Sequence, residues 1–250
     1  MADYDYDYHA GKKRIEAILD SDLKVIEQDK LPSDESFTFS NGYYSWVTGI
    51  FVDIRKSSEL FADEDKEKVA KIIRSFTSEI IEILRSDENL REIGIRGDCV
   101  YAVYTSPKKK DEFELANKTF YINTYMKMLN KLLADRSLPT IKVGIGMSTS
   151  RELVVKAGRK DVGINSKVWI EKAVTRAANF SSIGNKNGNE SLVYSDTSYQ
   201  NFIEELEKNN TMAQPRDWFT YHSDAGDGAF YTADITKTTF SNWINEGMPD

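Results

Sequence analysis

Histidine and cysteine are scarce in this sequence: among 250 residues there are two histidines, His9 and His222, and one cysteine, Cys99. An internal disulfide needs two cysteines, so none is expected. A zinc centre built from thiolate and imidazole ligands is excluded for the same reason. If the protein binds a metal ion, carboxylate oxygens must supply the ligands.

Long apolar runs and an excess of positive charge are also missing. The longest uncharged apolar stretch, residues 45–52, is far shorter than the roughly 20 residues that cross a bilayer. The N-terminal sequence lacks the apolar core of a signal peptide, so a cytoplasmic protein without membrane association is expected. With 33 basic and 40 acidic residues, the net charge of −7 argues against a nucleic-acid-binding surface. A small molecule is therefore the favoured class of partner.

The sequence does contain enough apolar residues, 40% of the chain, for the core of one large domain. Their spacing alternates between the two-residue repeat of strands and the three- to four-residue repeat of helices. The predicted elements are a strand at 45–54, a helix at 66–84, two strands at 93–96 and 99–104 around a Gly97-Asp98 turn, a helix at 111–133 and a strand at 140–147. This βαββαβ order predicts a ferredoxin-like α+β sandwich, a mixed sheet with helices on a single face.

Segments on either side of this core are predicted to elaborate it. The predicted division is an N-terminal arm at 1–44 with a helix at 12–28, a core at 45–195, and a C-terminal elaboration at 196–250 packed on the core. Further predicted elements are a polar loop after residue 147, a helix at 166–180, a strand at 192–194, a helix at 199–207 and two strands around a turn at 224–228. Gly144 and Gly146 are explained equally well by close approach of another backbone and by ordinary strand packing.

Two aspartates interrupt the apolar strands. Asp53 ends the first strand, and Asp98 lies in the hairpin turn. Because the first strand and the hairpin are neighbours in this topology, both carboxylates can reach one point at the strand ends. Such a pair of oxygen ligands suits Mg²⁺ or Mn²⁺. The alternatives are that Gly97-Asp98 is only a favourable turn pair and that Asp53 is a helix-start or loop residue.

The segment after Asp53 combines two cations with two hydroxyls. Its residues are Ile54, Arg55, Lys56, Ser57 and Ser58, and they are expected to open the long helix. Backbone N–H groups at a helix start bind phosphate, so this segment is a candidate polyphosphate site. Taken alone, it is better explained as a serine helix cap with solvent-exposed basic side chains. Together with an adjacent metal pair, it predicts a nucleoside-triphosphate site.

Four ordered segments of the chain resemble class III nucleotidyl cyclases, the adenylyl and guanylyl cyclase family. FVDIRKSSEL and IGIRGDCVYAVY resemble the two metal-aspartate segments of the family. IKVGIGMSTSRELVVKAG is similar to the glycine-bearing strand that follows, and VWIEKAVTRAANFSSIG to the interfacial helix that stabilises the transition state. The resemblance covers residues 45–194. With GIRGD in place of the purine motif, the chain looks most like the pyrimidine cyclases of Pycsar anti-phage systems.

This resemblance implies a two-metal reaction and a composite active site. Asp53, Asp98 and the Ile54 carbonyl would bind two divalent cations, Mn²⁺ or Mg²⁺, while residues 54–58 hold the phosphates. One ion would favour the 3′-alkoxide, and the other would neutralise the triphosphate while diphosphate is displaced. Family members work as head-to-tail dimers. The resemblance thus implies a homodimer in which the helix at 167–180 acts on the partner's substrate.

Several positions depart from the family pattern. Gly94 stands where the purine-reading Lys or Glu is found, and Lys167 stands at the second purine contact. Thr175 takes the place of the ribose-orienting Asn, and Asn179 that of the transition-state Arg. Arg176, one turn from Asn179, is a candidate for the missing cation. These departures allow either a silent cyclase-like module or a cyclase for a different base.

A different base is the favoured interpretation, because both metal aspartates and the phosphate segment are intact. Arg96 lies on the face of its strand that carries Gly94 and is expected to donate to a pyrimidine carbonyl. Phe51, on the face of Asp53, is expected to stack on the ring. The alternatives are core packing for Phe51 and a salt bridge to Asp98 for Arg96.

The expected activity is conversion of UTP to 3′,5′-cyclic UMP and diphosphate, as an antiviral signal that activates a separate effector. Cytidylate cyclase activity and a silent nucleotide-binding module remain the alternatives. A diguanylate synthase or polymerase palm shares the two-metal chemistry, but the sequence carries no Gly-Gly-Asp/Glu-Glu-Phe signature.

Overall fold

The computed structural model describes residues 5–223 and 228–249. Helices and strands alternate along most of the chain. In chain order they are α1 (Tyr8–Leu19), β1 (Lys24–Glu27), β2 (Asn41–Ile54), α2 (Ser57–Asp63), α3 (Lys66–Arg85), β3 (Leu90–Arg96), β4 (Cys99–Thr105), α4 (Lys109–Ala134), β5 (Val143–Arg159), β6 (Ile164–Trp169), α5 (Ala173–Ile183), β7 (Leu192–Ser195), α6 (Asp196–Lys208), β8 (Thr220–His222), β9 (Phe230–Ala233) and α7 (Thr238–Asn245).

One sheet holds all of the described strands. Its main path runs β3-β4-β2-β5-β7-β9-β8, with β1 paired to β2 and β6 paired to β5. Each neighbouring pair in the series β3, β4, β2 and β5 is antiparallel. With α3 and α4 as the connections, this order is that of a ferredoxin-like sandwich, so the predicted α+β fold is confirmed.

The main core lies between the sheet and the helices α3, α4 and α6. Alternate residues of β2, such as Ile50 and Val52, face this side and are fully buried. The buried stripe of α3 repeats every four residues, as expected for one face of a helix. It consists of Ile72, Phe76, Ile80 and Leu84. The apolar spacing that predicted these elements is therefore the spacing that fills the core.

The two helices of the βαββαβ order, α3 and α4, share one face of the sheet as predicted, and helix α5 lies on the opposite face. Glycines on two strands let the backbone of α5 pack closely against the sheet. A Cβ atom on Gly146 would lie 2.2 Å from the Ala177 carbonyl oxygen, and one on Gly144 would lie 2.0 Å from that of Ser181. Gly49 of β2 lies under the first turn of the helix. Close approach of another backbone is therefore the correct explanation of Gly144 and Gly146.

The predicted helix at 12–28 is wrong at both ends. The helix begins at Tyr8, where the Asp7 carboxylate accepts a hydrogen bond from the Ala10 N–H, and it ends at Leu19. Residues 24–27 form β1 instead, pairing in parallel with the start of β2. The apolar residues of 12–28 matched a helical repeat, but a neighbouring strand supplies the backbone partners of 24–27.

The segment after residue 147 also differs from the prediction. It is strand rather than polar loop, because β5 continues to Arg159 and pairs with the first half of β2. The chain then returns as β6, antiparallel to β5. The predicted helix at 166–180 therefore begins only at Ala173, and residues 166–169 belong to β6.

The C-terminal segment contains the predicted helix and the two predicted strands, as α6, β8 and β9. Most of the turn predicted at 224–228 lies outside the described residues. Helix α7 was not predicted. No helix in residues 5–223 and 228–249 is both long enough and apolar enough to span a membrane.

Candidate active site

Both predicted metal aspartates lie at one edge of the central sheet. Asp53 is near the end of β2, opposite Cys99 of β4 and Gly144 of β5. Asp98 precedes Cys99 in the hairpin turn, which Gly97 allows by adopting a φ of 64°. The topology therefore brings the two carboxylates to the same strand ends, as the sequence predicted.

The electrostatics of this edge favour a bound cation. Burial raises the pKa of Asp53, Arg55 opposes the rise, and the charge of Asp98 adds to it. Burial together with the nearby Asp53 raises the pKa of the Cys99 thiol to about 12, so this thiol stays protonated. Two carboxylates that repel each other in a partly desolvated place gain stability from a cation between them.

Arg55 neutralises Asp53 in this structure. Its guanidinium forms an ion pair with the Asp53 carboxylate and donates a hydrogen bond of 2.5 Å to the Ser182 carbonyl at the end of α5. The Arg55 side chain thus links the end of β2 to the end of α5. The sequence had predicted Arg55 as a phosphate ligand, which would require this ion pair to open.

The other basic and hydroxyl residues of the predicted phosphate segment form a turn and a short helix. Lys56 has a left-handed φ of 56° and an exposed ammonium 3.2 Å from Glu59. Ser57 begins α2, which ends before α3 starts. The prediction that this segment opens the long helix is therefore wrong. The Ile54 side chain is buried in the main core, which leaves only its backbone for a ligand.

The donor set fits a hard divalent cation that is completed by its substrate. In the described part of the chain, no three His, Cys, Asp or Glu side chains come together as a metal cluster. Asp53, Asp98 and the Ile54 carbonyl supply at most a partial shell of oxygen atoms. Mg²⁺ and similar ions accept this arrangement, because they keep waters and take phosphate oxygens as further ligands.

Phe51, two residues before Asp53 on β2, lies in a row with Tyr101 and Gly94 of the two neighbouring strands. We call Phe51 and Tyr101 the aromatic row. Phe51 is opposite Tyr101, and Tyr101 is opposite Gly94. The Phe51 and Tyr101 rings stack with centroids 5.2 Å apart and planes 16° apart. A Cβ atom on Gly94 would lie 2.8 Å from the Tyr101 hydroxyl oxygen. Tyr101 therefore occupies the space above Gly94, the position for which the resemblance implies a purine-reading side chain.

Three residues at this place, Tyr101, Glu92 and Trp169, were missed from the sequence. Glu92 accepts a hydrogen bond of 2.8 Å from the Tyr101 hydroxyl and one of 2.9 Å from the Trp169 indole N–H. Counting residues across the predicted hairpin would have paired Tyr101 with Gly94. No local signal connects Trp169 with Glu92, since they lie 77 residues apart.

Lys167 is already engaged within the chain. It lies on β6 rather than on a helix, and its ammonium donates to the Asp34 carboxylate at 2.7 and 2.9 Å. It also donates to the Arg91 carbonyl at 2.7 Å. Lys167 thus lies beside the strand that carries Gly94, and its hydrogen bond to Arg91 holds β6 against β3.

Arg96 is exposed at the end of β3. The ion pairs formed by the described residues do not include one between Arg96 and Asp98, so the salt-bridge alternative is not supported. Burial, followed by the hydrogen bond to Glu92, raises the pKa of the Tyr101 phenol to about 12, and the positive charge of Arg96 counters part of this rise. Arg96 therefore lies close to the aromatic row.

The three candidate residues of α5 are Thr175, Arg176 and Asn179, on the helix that packs against Gly144 and Gly146. Thr175 donates its hydroxyl back to the Glu171 carbonyl at 3.2 Å. The guanidinium of Arg176 lies 5.4 Å from the centre of the Phe180 ring, and Asn179 is exposed. Ser182, three residues after Asn179, links α5 to the metal edge by accepting the hydrogen bond from Arg55.

A ferredoxin-like sheet with two aspartates at one edge and a helix seated on glycines across its face defines a nucleotidyl cyclase domain. The adenylate and guanylate cyclase catalytic domain family matches residues 40–197 of the sequence. The chain belongs to this family. Divalent metal ions are the cofactors of its class III members.

Two relatives carry a more particular name. The uridylate cyclase of Treponema porcinum is 52% identical over 245 residues, which cover 98% of this chain and 83% of that protein. The uridylate cyclase of Gulbenkiania mobilis is 26% identical over 249 residues, covering 96% of each chain. Among solved structures, the adenylyl cyclase CyaB from P. aeruginosa is 17% identical with a TM-score of 0.61, covering 79% of this chain and 97% of that one. That structure supports the fold.

Proposed function

We propose that this protein is a uridylate cyclase, converting UTP to 3′,5′-cyclic UMP and diphosphate. The observation that carries the proposal is the 52% identity, over nearly the whole chain, to a protein named uridylate cyclase. The position of Asp53 and Asp98 at one sheet edge supports an active enzyme over a silent module. A domain that only bound nucleotide would not need to keep two repelling carboxylates together.

Asp53, Asp98 and the Ile54 carbonyl would hold two divalent cations, Mn²⁺ or Mg²⁺. When bound, these ions supply charge neutralisation of the triphosphate and favour ionisation of the 3′-hydroxyl. Asp53 would then exchange its ion pair with Arg55 for the cation, which frees the guanidinium for a phosphate oxygen. The exposed Lys56 and Ser58, together with the partly buried Ser57, would complete the phosphate site.

The reaction needs no covalent intermediate with the enzyme. The 3′-oxygen forms a bond to the α-phosphorus, the bond from that phosphorus to the bridging oxygen of the β-phosphate breaks, and diphosphate leaves. The proton of the 3′-hydroxyl goes to solvent. The chain's contribution is to align the two ends of the substrate and to oppose the charge that develops on the phosphate.

The base would lie against the aromatic row. Phe51 offers an aromatic face, and Arg96 offers exposed donors for the carbonyl oxygens of uracil. Gly94 provides no purine-reading side chain. Lys167 would act as a donor only if it left Asp34. CTP is the second candidate substrate, because it shares the O2 carbonyl and the ring size of UTP.

The active unit would be a homodimer with interfacial sites. Thr175, Arg176 and Asn179 would act on the substrate held by the partner subunit's metal edge, as the resemblance to head-to-tail cyclase dimers implies. Mixing Asp53→Ala with Arg176→Ala protein should regenerate one intact site in each heterodimer, which is roughly a quarter of wild-type activity for random pairing. A mixture as inactive as both parents would contradict the composite site.

The product would serve as a signal in the cytoplasm. We propose that cyclic UMP activates a separate effector during infection, with no part for nucleic acid or membranes in the reaction. The support is the resemblance to Pycsar cyclases. The test is protection of a bacterial host from phage by the cyclase with its effector, and loss of that protection with Asp98→Ala.

Incubation with each of the four nucleoside triphosphates and Mn²⁺, followed by mass analysis of cyclic products, tests the substrate. Cyclic UMP is expected as the main product. Cyclic CMP as the main product would favour the second candidate, and cyclic AMP or cyclic GMP would overturn the pyrimidine proposal. No cyclic product from folded dimer would favour the silent module.

A further inference from the structure

Three side chains from three strands form a connected unit beside the aromatic row. Glu92 of β3 accepts hydrogen bonds from Tyr101 of β4 and Trp169 of β6, one on each carboxylate oxygen. We call these three residues the Glu92 bridge. Because both oxygens have a fixed donor, the carboxylate cannot turn without breaking a bond, and the bridge holds the phenol in one position.

Other contacts hold the bridge against the sheet. Tyr101 and Trp169 both pack on the smaller core cluster that contains Val47 and Val103. Lys167, two residues before Trp169, is tied to the Arg91 carbonyl next to Glu92. Strand β6 is therefore fastened to β3 at two neighbouring points. Movement of Tyr101 away from its position would disturb packing as well as hydrogen bonds.

The bridge determines what lies above Gly94. The Tyr101 hydroxyl oxygen and two of its ring carbons would come within 2.8–2.9 Å of a Cβ atom on that residue. Real Cβ atoms do not approach so closely, so glycine is required while Tyr101 stays in place. Gly94 is thus explained by the neighbouring ring, and the space for a purine-reading side chain has been filled from β4.

We propose that the Glu92 bridge limits the base pocket to a single six-membered ring, with Tyr101 as the specificity-determining residue. This inference rests on the proposed cyclase function and deepens it. The Tyr101 ring stands between Gly94 and Phe51, one step inward from Asp53. A purine carries a fused second ring that would meet this wall, whereas a pyrimidine does not.

The size of the effect follows from how apolar pockets discriminate. A rigid, close-packed wall rejects a larger substrate because the displaced side chain must leave its contacts. Differences of one small group in such pockets change kcat/KM by about 10- to 200-fold. Opening the wall should therefore raise kcat/KM for ATP within this range, while the metal edge remains intact.

The test compares Tyr101→Leu, Tyr101→Phe and the control Tyr121→Leu, in which an exposed tyrosine of α4 is replaced. For each dimer, kcat/KM is measured with UTP and with ATP in the presence of Mn²⁺. Tyr101→Leu should lower the UTP-to-ATP ratio at least tenfold, mainly through a lower KM for ATP. Tyr101→Phe, which keeps the ring but loses the bond to Glu92, should lower it a few-fold. The control should keep the wild-type ratio.

An unchanged ratio in folded Tyr101→Leu would overturn the inference. If Tyr101 has only a structural role, Tyr101→Leu should reduce activity with UTP and with ATP equally. The ratio would then stay unchanged, which also overturns the inference. If Tyr101→Leu does not fold, Trp169→Phe removes one donor from Glu92 without touching the ring, and it should shift the ratio in the same direction. If the wild-type enzyme itself prefers ATP, the proposed function fails together with this inference. A wild-type preference for UTP with an unchanged ratio in the variants overturns the Glu92 bridge alone.

Discussion

The two faces of the central sheet are built in different ways. On one face, Ile50 and Val52 of β2 meet the apolar stripe of α3, and the interface is fully buried. On the other face, the intervening positions of the same strand are Gly49, Phe51 and Asp53. That face carries a helix on glycines, an aromatic row and the metal edge. The comparison shows that one strand can serve stability through one set of alternate residues and chemistry through the other.

The largest expected effect separates the chemical face from folding. Asp98→Ala removes a proposed metal ligand from a turn, where it holds no part of the apolar core. Cyclase activity should fall at least 10³-fold, which is about 4 kcal/mol of transition-state stabilisation. The free energy of unfolding should stay within about 1 kcal/mol of wild type, because a charge that repels Asp53 is also removed.

The measurement is product formation from UTP together with urea unfolding, with Asp135→Ala at the exposed end of α4 as control. The control should retain full activity. Near-normal turnover by Asp98→Ala would remove the two-metal assignment and, with it, the distinction between the two faces.

The opposite result is expected on the face of the sheet that α3 covers, which we call the sealed face. Phe76→Ala leaves a cavity under the centre of α3 and should lower the free energy of unfolding by about 3–5 kcal/mol. The kcat of the protein that remains folded should change little, because α3 contributes no side chain to the metal edge. Ser78→Ala, on the exposed side of the same helix, is the matched control for the unfolding curve.

One carboxyl group lies on the sealed face, and it sharpens the comparison. Glu112 of α4 is buried, accepting a hydrogen bond of 2.8 Å from Asn201, and burial raises its pKa to about 8. The raised folded-state pKa means that the stability contributed by the protonated form is fully present below about pH 4.5. That contribution is lost as the pH rises toward 8.

Glu112→Gln keeps the shape of the side chain and removes its titration. The unfolding free energy of wild type relative to this variant should therefore decrease by on the order of 2–4 kcal/mol between pH 5 and pH 9. Urea unfolding at several pH values measures it. A constant difference would mean that Glu112 is not the titrating group.

The smallest expected change in stability concerns the close packing of α5 on the sheet. Gly146→Ala places a methyl group against the backbone of the helix, which must shift outward, at a cost of about 1–3 kcal/mol. Because α5 carries Arg176 and Asn179, kcat should fall more than stability does. If activity and stability both stay at wild-type values, the close packing of α5 on Gly146 is not needed for the reaction.

Predictions from local patterns were reliable for elements whose own apolar residues repeat at a regular spacing and face the core. The stripe of α3, the hairpin around Gly97-Asp98 and the strand that ends at Asp53 were all predicted close to their observed bounds. Their apolar residues follow one period over many positions, so the pattern is read without knowledge of neighbours. The placement of both aspartates at one edge then followed from the βαββαβ order.

Predictions failed where a distant partner decides the conformation. Residues 24–27 are a strand because β2 lies beside them, and residues 148–159 continue β5 for the same reason. The side on which α5 lies depends on glycines in two strands that approach its backbone. The sequence shows those glycines but not which segment comes close to them.

The sequence by itself determined the fold class and the two carboxylates at the sheet edge, because these depend on local period and strand order. The cyclase family followed from the resemblance of four ordered segments. Only the tertiary structure decided that Tyr101 covers Gly94, that Lys167 pairs with Asp34, and that Arg55 neutralises Asp53. The first two depend on where β6 lies: Trp169 of β6 donates to Glu92 of β3, 77 positions away, and the Lys167–Asp34 contact joins residues 133 positions apart. The last is local in sequence, but Ser182 of α5 fixes the orientation of the guanidinium. Side-chain pairings of this kind are selected by the packed chain as a whole, and no period in the sequence encodes them.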